Sequence, residues 1–332
     1  MAEPIQLDLT DKRILYQLDS NSRQPLTQIA KKLNTSQQLV DYRIKNYEKN
    51  GLISSYVTLI DYKKFGLVNY TVYFRFRQVD SKREKEIVDY FCKLPNTNIV
   101  FTCEGNWELG VGFLVDNIFG FNEEFTKAQR LFQNNIADFT ITTHLQSSHF
   151  GRKYLLAPEE FEDISIPAIT GGKPLSLKLT DTEAQVLRVL SVNSRLSLVE
   201  SAKLAKLSPR IFHYQLKKLI ENEVIVGYSV RLNPELLGYN FYRLLLRLHA
   251  PSAEEKNSLS AYLKTYPNVL RAIDSFGRYD LLIDAEFEGV RALREFTLDL
   301  RSRFGAIIST QEILRFYNVE KYSYFPSGEC KR

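Results

Sequence analysis

The chain has 332 residues, of which 44% are hydrophobic and 25% charged; this is typical of a soluble globular protein with two to four small domains. Its three cysteines, Cys92, Cys103 and Cys330, show no C-x-x-C spacing, which argues against a disulfide framework or a zinc ribbon. The polar N-terminus lacks a signal-peptide pattern and no apolar run approaches the length of a membrane span, so we expect a cytoplasmic protein with no membrane partner.

The chain contains one pattern twice, at an offset of 172 residues. Arg23 is repeated as Arg195 and Gly105 as Gly277, in a single register. A stretch rich in proline and glycine separates the copies and indicates a linker. The predicted divisions are residues 1–62, a winged helix-turn-helix; 63–156, a βαββαβ domain; 157–177, the linker; 178–234, the second winged helix-turn-helix; and 235–332, the second βαββαβ domain.

The first sixty residues of each copy have helical periodicity. In the first copy, three apolar stripes predict three short helices, with Thr10 and Ser36 as N-caps of the first and third. In the second copy, Thr180 with Glu183 forms a capping box, and Ser208 precedes a helix-starting proline. A β-segment follows the third helix at Leu52–Ile60 and at Val224–Leu232. Three helices and a β-wing predict a winged helix-turn-helix.

The second part of each copy alternates strands and helices. The order βαββαβ is that of a ferredoxin-like domain, so the predicted fold class is α+β. The free sheet faces predict further pairing into a homo-oligomer. If each two-copy chain counts as a pseudo-dimer, the expected assembly is a dimer of pseudo-dimers. In the first copy the predicted elements are Tyr70–Val79, Lys82–Leu94, Ile99–Cys103, Leu109–Val115, Ile118–Phe132 and Phe139–Gln146. In the second they are Phe241–Leu248, Ala253–Tyr266, Val269–Phe276, Leu281–Phe287, Val290–Phe304 and Ile307–Tyr317.

The opening LTD pattern, the run from Ser36 to Ile53 and the G-x-Y-D sequence at Gly277–Asp280 together resemble the Lrp/AsnC (feast/famine) transcription regulators. The resemblance covers both copies. It implies double-stranded DNA as a partner, an amino acid as effector, and a regulatory (RAM) domain after each winged helix. The usual family member has one such unit and dimerises through its second domain, so this chain resembles a covalent pseudo-dimer.

The third helix of each copy is the predicted recognition helix, with one face buried and the other directed at the major groove. From Arg23 to Lys64 there are eight basic residues against three acidic; Arg195–Leu236 has seven against four. This concentration of positive charge favours phosphate contact over a merely solvated face. Because the two outward faces differ, we expect two unlike half-sites, unless the chain assembles further so that like heads pair. The predicted DNA-contacting residues are Gln37, Gln38, Asp41, Tyr42, Arg43, Lys45 and Lys49, and Arg210, His213, Tyr214, Lys217 and Lys218.

The two glycine turns have two interpretations. A structural one assigns glycine to the backbone conformation and the following aromatic residue to the core. The family resemblance places an effector pocket near this turn, with Gly277, Tyr279 and Asp280 in the second copy. The first copy departs from the pattern, with Gly105, Trp107 and Glu108 at these positions, and there the structural interpretation is favoured.

Enzymatic function finds little support in the sequence. Its four histidines are far apart, with no metal-binding spacing, and we expect His144 and His149 on the surface. No phosphate loop or nucleophile elbow occurs, so neither a cofactor nor a metal is expected. Sirohaem decarboxylases also consist of paired Lrp-like units, which leaves that enzyme as one alternative, although neither turn region contains a histidine. An interaction module that no longer binds DNA is another.

Overall fold

The computed structural model describes residues 3–157, 160 and 169–325. Cys330, Pro158 and Pro167, with the rest of the linker from 161 to 168, lie outside the described residues. Cys92 and Cys103 are both buried. None of the described helices is long and apolar enough to cross a membrane.

The elements follow the predicted order in both copies. In the first copy they are α1 (Leu9–Ser20), α2 (Leu26–Lys32), α3 (Gln37–Lys49), β1 (Ile53–Ile60), β2 (Val68–Phe76), α4 (Ser81–Lys93), β3 (Thr97–Glu104), β4 (Leu109–Val115), α5 (Ile118–Leu131) and β5 (Ile136–His149). After β6 (Ile169–Gly171), the second copy has α6 (Asp181–Val192), α7 (Leu198–Leu204), α8 (Pro209–Glu221), β7 (Ile225–Leu232), β8 (Asn240–Leu248), α9 (Ala253–Thr265), β9 (Val269–Gly277), β10 (Leu281–Phe287), α10 (Val290–Phe304) and β11 (Ile308–Tyr322).

The helix starts confirm three of the four predicted caps. Ser36 and Ser208 each accept a hydrogen bond from the third backbone N–H of their helix, and Thr180 forms the capping box with Glu183. The prediction for α1 was wrong, because Asp8 rather than Thr10 is its N-cap. A carboxylate at this position also interacts favourably with the helix dipole.

The wing strands of the two copies pair with each other. β1 and β7 form an antiparallel two-stranded ribbon, with Tyr56 opposite Val230. The ribbon also exchanges apolar side chains between the helical heads. Val230 and Leu232 of the second copy pack into the core of α1–α3, while Leu59 and Ile60 of the first pack into the core of α6–α8. Each wing strand therefore takes its β-partner from the other copy and helps to form that copy's core.

The βαββαβ domains also combine. The strand order is β2-β4-β3-β11-β8-β10-β9-β5-β6, and β2 pairs in addition with β5, so eight strands form a closed ring of antiparallel pairs. Helices α4 and α5 cover one half of this barrel and α9 and α10 the other, each pair over its own apolar layer. The inner layer mixes the copies, with Phe101 and Trp107 packed among Leu245, Tyr279 and Phe316.

The barrel closes because the last strand of each copy changes partner along its length. Residues 136–144 of β5 pair with β2, and residues 142–149 pair with β9 of the other copy. In the same way β11 pairs first with β8 and then with β3. Both strands are longer than predicted, and their additional residues include those that reach the opposite sheet. The linker was predicted to lack regular structure, which is wrong for Ile169–Gly171, since this segment pairs with Gln146–Ser148.

Contacts between equivalent residues of the two copies mark a pseudo-twofold axis that passes through the helical heads and the barrel. The hydroxyls of Ser22 and Ser194, which are 172 positions apart, hydrogen-bond at 2.9 Å. Trp107 and Tyr279 are separated by the same 172 positions, and the indole Nε1 donates to the phenol oxygen at 2.9 Å. The single chain therefore has the internal symmetry of a homodimer.

We predict that Gly277→Ala destabilises the barrel by about 2–3 kcal/mol. Gly277 has φ of +132°, and a Cβ there would lie 2.6 Å from the carbonyl oxygen of Ile141 on the other copy's last strand. Urea unfolding measures the loss. Gly289→Ala is the matched control, because a Cβ there meets no atom within 4 Å; it is expected to change stability by less than about 1 kcal/mol. Equal effects of the two substitutions would contradict this assignment.

Candidate DNA-binding surface, turns and buried charges

The recognition helix of the first copy has the predicted two faces. Val40, Ile44 and Tyr47 are buried in the head. The opposite face carries side chains able to contact base edges and phosphates. The exposed residues of α3 are Gln37, Gln38, Tyr42, Lys45, Glu48 and Lys49; Asp41 is half-exposed and pairs with Lys45 at 2.6 Å.

The recognition helix of the second copy is arranged in the same way. Phe212, Leu216 and Leu219 are buried. Lys218 makes an ion pair of 2.8 Å with Glu183 at the start of α6. The exposed residues on α8 include all five that were predicted, Arg210, His213, Tyr214, Lys217 and Lys218.

Arg43 does not lie where the sequence analysis placed it. Its guanidinium binds the carboxylates of Asp8, at 2.8 Å, and Asp11, at the start of α1. The Tyr47 hydroxyl donates to the same Asp11 carboxylate. Arg43 therefore ties α3 to α1 instead of pointing away from the head, because position 43 of the helix faces α1 rather than solvent.

Aligned positions on the two recognition helices are partly alike and partly different. Tyr42 and Tyr214 occupy equivalent positions, and each is 64% exposed. Gln38 is replaced by Arg210 at the equivalent position. Sequence analysis overlooked Ile211, which is 45% exposed on α8 and is of the apolar type that can contact a thymine methyl group. Its place directly after Arg210 was the available signal.

The glycine turns bury their aromatic side chains in the barrel, while the glycines themselves are exposed. Trp107 and Tyr279 are each 1% exposed, and the Tyr279 hydroxyl donates to Glu312 at 2.8 Å. The carboxylates of the turns accept backbone hydrogen bonds within their own sheets, Glu108 from Phe76 at 3.0 Å and Asp280 from Leu248 at 2.8 Å. Gly105 and Gly277 each press against the last strand of the other copy. These contacts give all six turn residues a structural role, and their effector role stays a prediction.

A cluster of charged side chains lies between the two halves of the barrel, and sequence analysis missed it. Arg243 makes two hydrogen bonds to Asp284, at 2.6 and 2.9 Å, and Arg271 donates to the same carboxylate at 2.9 Å. Burial alone would raise the pKa of Asp284, but the two guanidiniums outweigh it and hold that pKa well below its usual range. Two cations thus share one anion in a buried site.

The prediction that His144 and His149 lie on the surface was wrong. Both are half-buried residues of β5 that line cavities inside the molecule. His144 hydrogen-bonds to Thr71 at 3.1 Å, and His149 lies 3.4 Å from the Tyr324 hydroxyl. Burial, reinforced by the neighbouring arginines, lowers the pKa of each imidazole to about 3. Among the described residues, no group of histidine, cysteine and carboxylate side chains could hold a metal ion.

These histidines predict a loss of stability in mild acid. Their folded pKa of about 3 is below the ordinary value of 6.5, so the unfolded chain binds protons that the folded chain does not. Stability is therefore complete above pH 6.5 and falls as the pH decreases towards 3. We expect urea unfolding to show a loss of about 1–2 kcal/mol per histidine between about pH 7 and 5.

A double variant, His144→Asn with His149→Gln, should remove most of this loss. His213 is the control, because it is exposed on α8 and His213→Gln should leave the pH dependence unchanged. An identical decline in both variants would assign the acid sensitivity to other groups.

The chain is similar to known proteins of this architecture. A family model described as winged helix-turn-helix DNA-binding matches residues 7–54. An HTH-type transcriptional regulator of Pyrococcus furiosus, itself uncharacterised, is 31% identical over 104 residues, which are 31% of this chain and 69% of that protein. The HTH-type transcriptional regulator FL11 of the same organism is 25% identical over 137 residues, 41% of this chain and 88% of FL11.

Among solved structures, the siroheme decarboxylase NirDL is similar to this chain with a TM-score of 0.59 at 13% sequence identity. The match covers 96% of this chain and 94% of the NirDL chain. This likeness is one of fold and extends over both copies. The fold class is α+β, with a winged helix-turn-helix before each ferredoxin-like domain. By its sequence similarity and domain order, the chain belongs to the Lrp/AsnC family of HTH-type transcriptional regulators.

Proposed function

We propose that this protein regulates transcription by binding double-stranded DNA with both helical heads. The observation that supports it most is the pair of recognition helices, whose exposed faces carry basic and amide side chains while their opposite faces are buried. The ribbon of β1 and β7 joins these heads, so one molecule presents two reading surfaces to one duplex. We further propose a cytoplasmic location, an amino-acid effector and assembly into a dimer of pseudo-dimers.

Lys45→Ala tests the electrostatic contribution. Lys45 is exposed on α3, and loss of a phosphate contact should weaken binding to all duplexes by about five- to tenfold and reduce the slope of log affinity against log salt by about one. Mobility shift over a salt series measures both. Lys85→Ala is the matched control, because Lys85 is exposed on α4, a helix that packs on the barrel and not in a helical head. If binding to upstream DNA does not depend on salt at all, the chain is an interaction module and the proposal fails.

Gln38→Arg tests the unlike half-sites. Glutamine suits adenine and arginine suits guanine, and a good bidentate pair contributes about 1–3 kcal/mol of discrimination. Selection from a randomised duplex library should yield an asymmetric consensus for the wild type and, for Gln38→Arg, a change from adenine to guanine in one half-site only. Arg210→Gln should produce the reverse change in the other half-site. A palindromic wild-type consensus spanning one molecule would contradict the assignment of one head to each half-site.

We also propose that the protein is not an enzyme. The structure nevertheless favours one specific alternative, a decarboxylase acting on a tetrapyrrole such as sirohaem, because His149 and Arg271 line a cavity of about 550 Å³ and the fold is shared with NirDL. Sirohaem added to the purified protein is expected to give no haem-like absorbance band and no release of carbon dioxide. A stoichiometric band together with decarboxylation would establish the enzyme.

A further inference from the structure

The two helical heads touch each other directly, in addition to being joined by the ribbon. The contact is made by the turn between α1 and α2 and by the equivalent turn between α6 and α7. The backbone N–H of Ser22 donates to the carbonyl of Tyr228 at 3.4 Å, and that of Ser194 donates to the carbonyl of Tyr56 at 3.2 Å. Each turn is therefore held against the wing strand of the other copy. We call this contact the junction; it consists of Ser22, Arg23, Ser194 and Arg195 with Tyr56 and Tyr228.

Two arginines cross the junction in opposite directions. Arg23 and Arg195 each donate to the backbone carbonyl of the serine in the other head's turn. The Arg23 guanidinium also lies 5.6 Å from the centre of the Tyr228 ring. The Arg195 guanidinium lies 5.7 Å from the centre of the Tyr56 ring, and a cation is attracted to the face of such a ring. Each arginine therefore ties its own head to the other head and to the other copy's wing strand.

The two crossings differ beyond the tyrosine rings. The Tyr56 hydroxyl donates to Glu48 of α3 at 2.6 Å. The second copy has Ile220 at the position of Glu48, and the buried Tyr228 hydroxyl has no hydrogen-bond partner among the residues that the structure describes. One crossing therefore continues through Tyr56 to the recognition helix of the first head, and the other ends at the ribbon.

The charges at the junction differ in the same way. Burial lowers the pKa of Arg195, and the nearby Arg23 adds to this effect because two guanidiniums repel each other. The carboxylate of Glu48 opposes it. The crossing that reaches α3 therefore also includes the anion that partly offsets the repulsion between the two arginines.

The ribbon alone does not fix the angle between the heads. Ile53 at the start of β1 packs in the core of the first head, and Ile60 at its end packs in the core of the second. The angle between the heads therefore depends on the twist of the ribbon between these two points. The twist between neighbouring strands varies over about 25° and is larger in two-stranded ribbons, and an isolated two-stranded pair is only marginally stable. The junction attaches head to head directly and so removes this freedom.

We propose that the crossed arginines, with Tyr56 and Glu48, are positioning residues that hold α3 and α8 at one fixed angle, so that the chain accepts two half-sites at a single spacing. Each base pair added between the half-sites moves the second by about 3.4 Å along the duplex and about 35° around it. A rigid pair of heads does not follow this movement, so the spacing becomes part of the recognised sequence. The positioning is a property of the folded chain, and only its consequence for spacing rests on the proposed DNA-binding function.

Spin labels measure the positioning without DNA. Lys49→Cys and Glu221→Cys place labels at equivalent, exposed ends of α3 and α8. Cys330→Ser is added to both, whereas Cys92 and Cys103 are buried and stay. Double electron–electron resonance between the two labels should give one narrow distance distribution for the otherwise unchanged chain. A broad distribution would overturn the proposal.

Replacing both arginines, Arg23→Met with Arg195→Met, removes the crossings and should widen the distance distribution at least about twofold, because the ribbon is then free to twist. Arg188→Met is the control, since Arg188 is exposed on α6 outside the junction, and it should leave the width unchanged. Should the double variant fail to fold by circular dichroism, Arg195→Met alone takes its place. An unchanged width in the folded variant would reject the role of the arginines.

Tyr56→Phe and Tyr228→Phe form a matched pair. Each removes one tyrosine hydroxyl, but only Tyr56→Phe removes a hydrogen bond to Glu48. We expect Tyr56→Phe to widen the distance distribution, by less than the double arginine variant does, and Tyr228→Phe to leave it unchanged. Equal widths for these two variants would contradict the part assigned to Tyr56 and Glu48.

A spacing series measures the consequence for DNA. Its duplexes carry the two half-sites recovered from the randomised library, at the selected separation and at separations two base pairs shorter and longer. We expect the change of spacing to weaken the wild type about tenfold or more and the double arginine variant less than about threefold, because only the rigid heads lose simultaneous engagement. Both proteins should bind a duplex with a single half-site equally.

The other outcomes separate the claims. A variant that loses affinity for the single half-site but keeps the spacing preference would show that the arginines contact DNA and do not position the heads. Equal wild-type affinity at all three separations would reject the single spacing. A narrow distance distribution in a chain that binds no DNA would contradict the proposed function alone.

Discussion

The structure depends on the backbone hydrogen bonds by which the last strand of each copy pairs with the sheet of the other. β5 continues from β2 to β9, and β11 continues from β8 to β3. These pairings leave no open edge in the ring of eight strands, and an open edge would invite aggregation. They also join the four-stranded sheet of each copy, β3-β4-β2-β5 and β9-β10-β8-β11, into one barrel. The positions of the turns, the charged cluster and the ribbon all follow from this exchange.

The sequence predicted the elements because their signals are local. Helical stripes, capping residues and the repeat offset define the helices and most strands within a few residues. The partners of the strands are a tertiary property, which the sequence does not carry in the same way. At the end of β11, Lys321 and Tyr322 do not continue a clear alternation of apolar and polar residues. Their position in the sheet is set by pairing with Val100 and Ile99 of the other copy. The exchange of the wing strands was missed for the same reason.

The buried and exposed sides of α3 and α8 could be predicted for a related reason, since burial on a helix repeats with a known period. Arg43 was the exception, because the carboxylates that hold it come from α1 and not from its own helix. The buried charges had a visible signal that went unused. Arg243 and Asp284 interrupt apolar runs in β8 and β10, and a charge at such a position is seldom buried without a partner. Pairing the two would have predicted the cluster between the sheets.

The pairing of β1 with β7 within one chain has a consequence for how the protein would respond to its own abundance. A regulator assembled from separate subunits must first dimerise, so at low concentration its occupancy of an operator rises more steeply than in proportion to the number of chains. Here the two heads are covalently joined and share a ribbon, and their local concentration does not change on dilution. For a site read by both heads of one molecule, occupancy well below saturation is proportional to chain number, down to a few copies per cell.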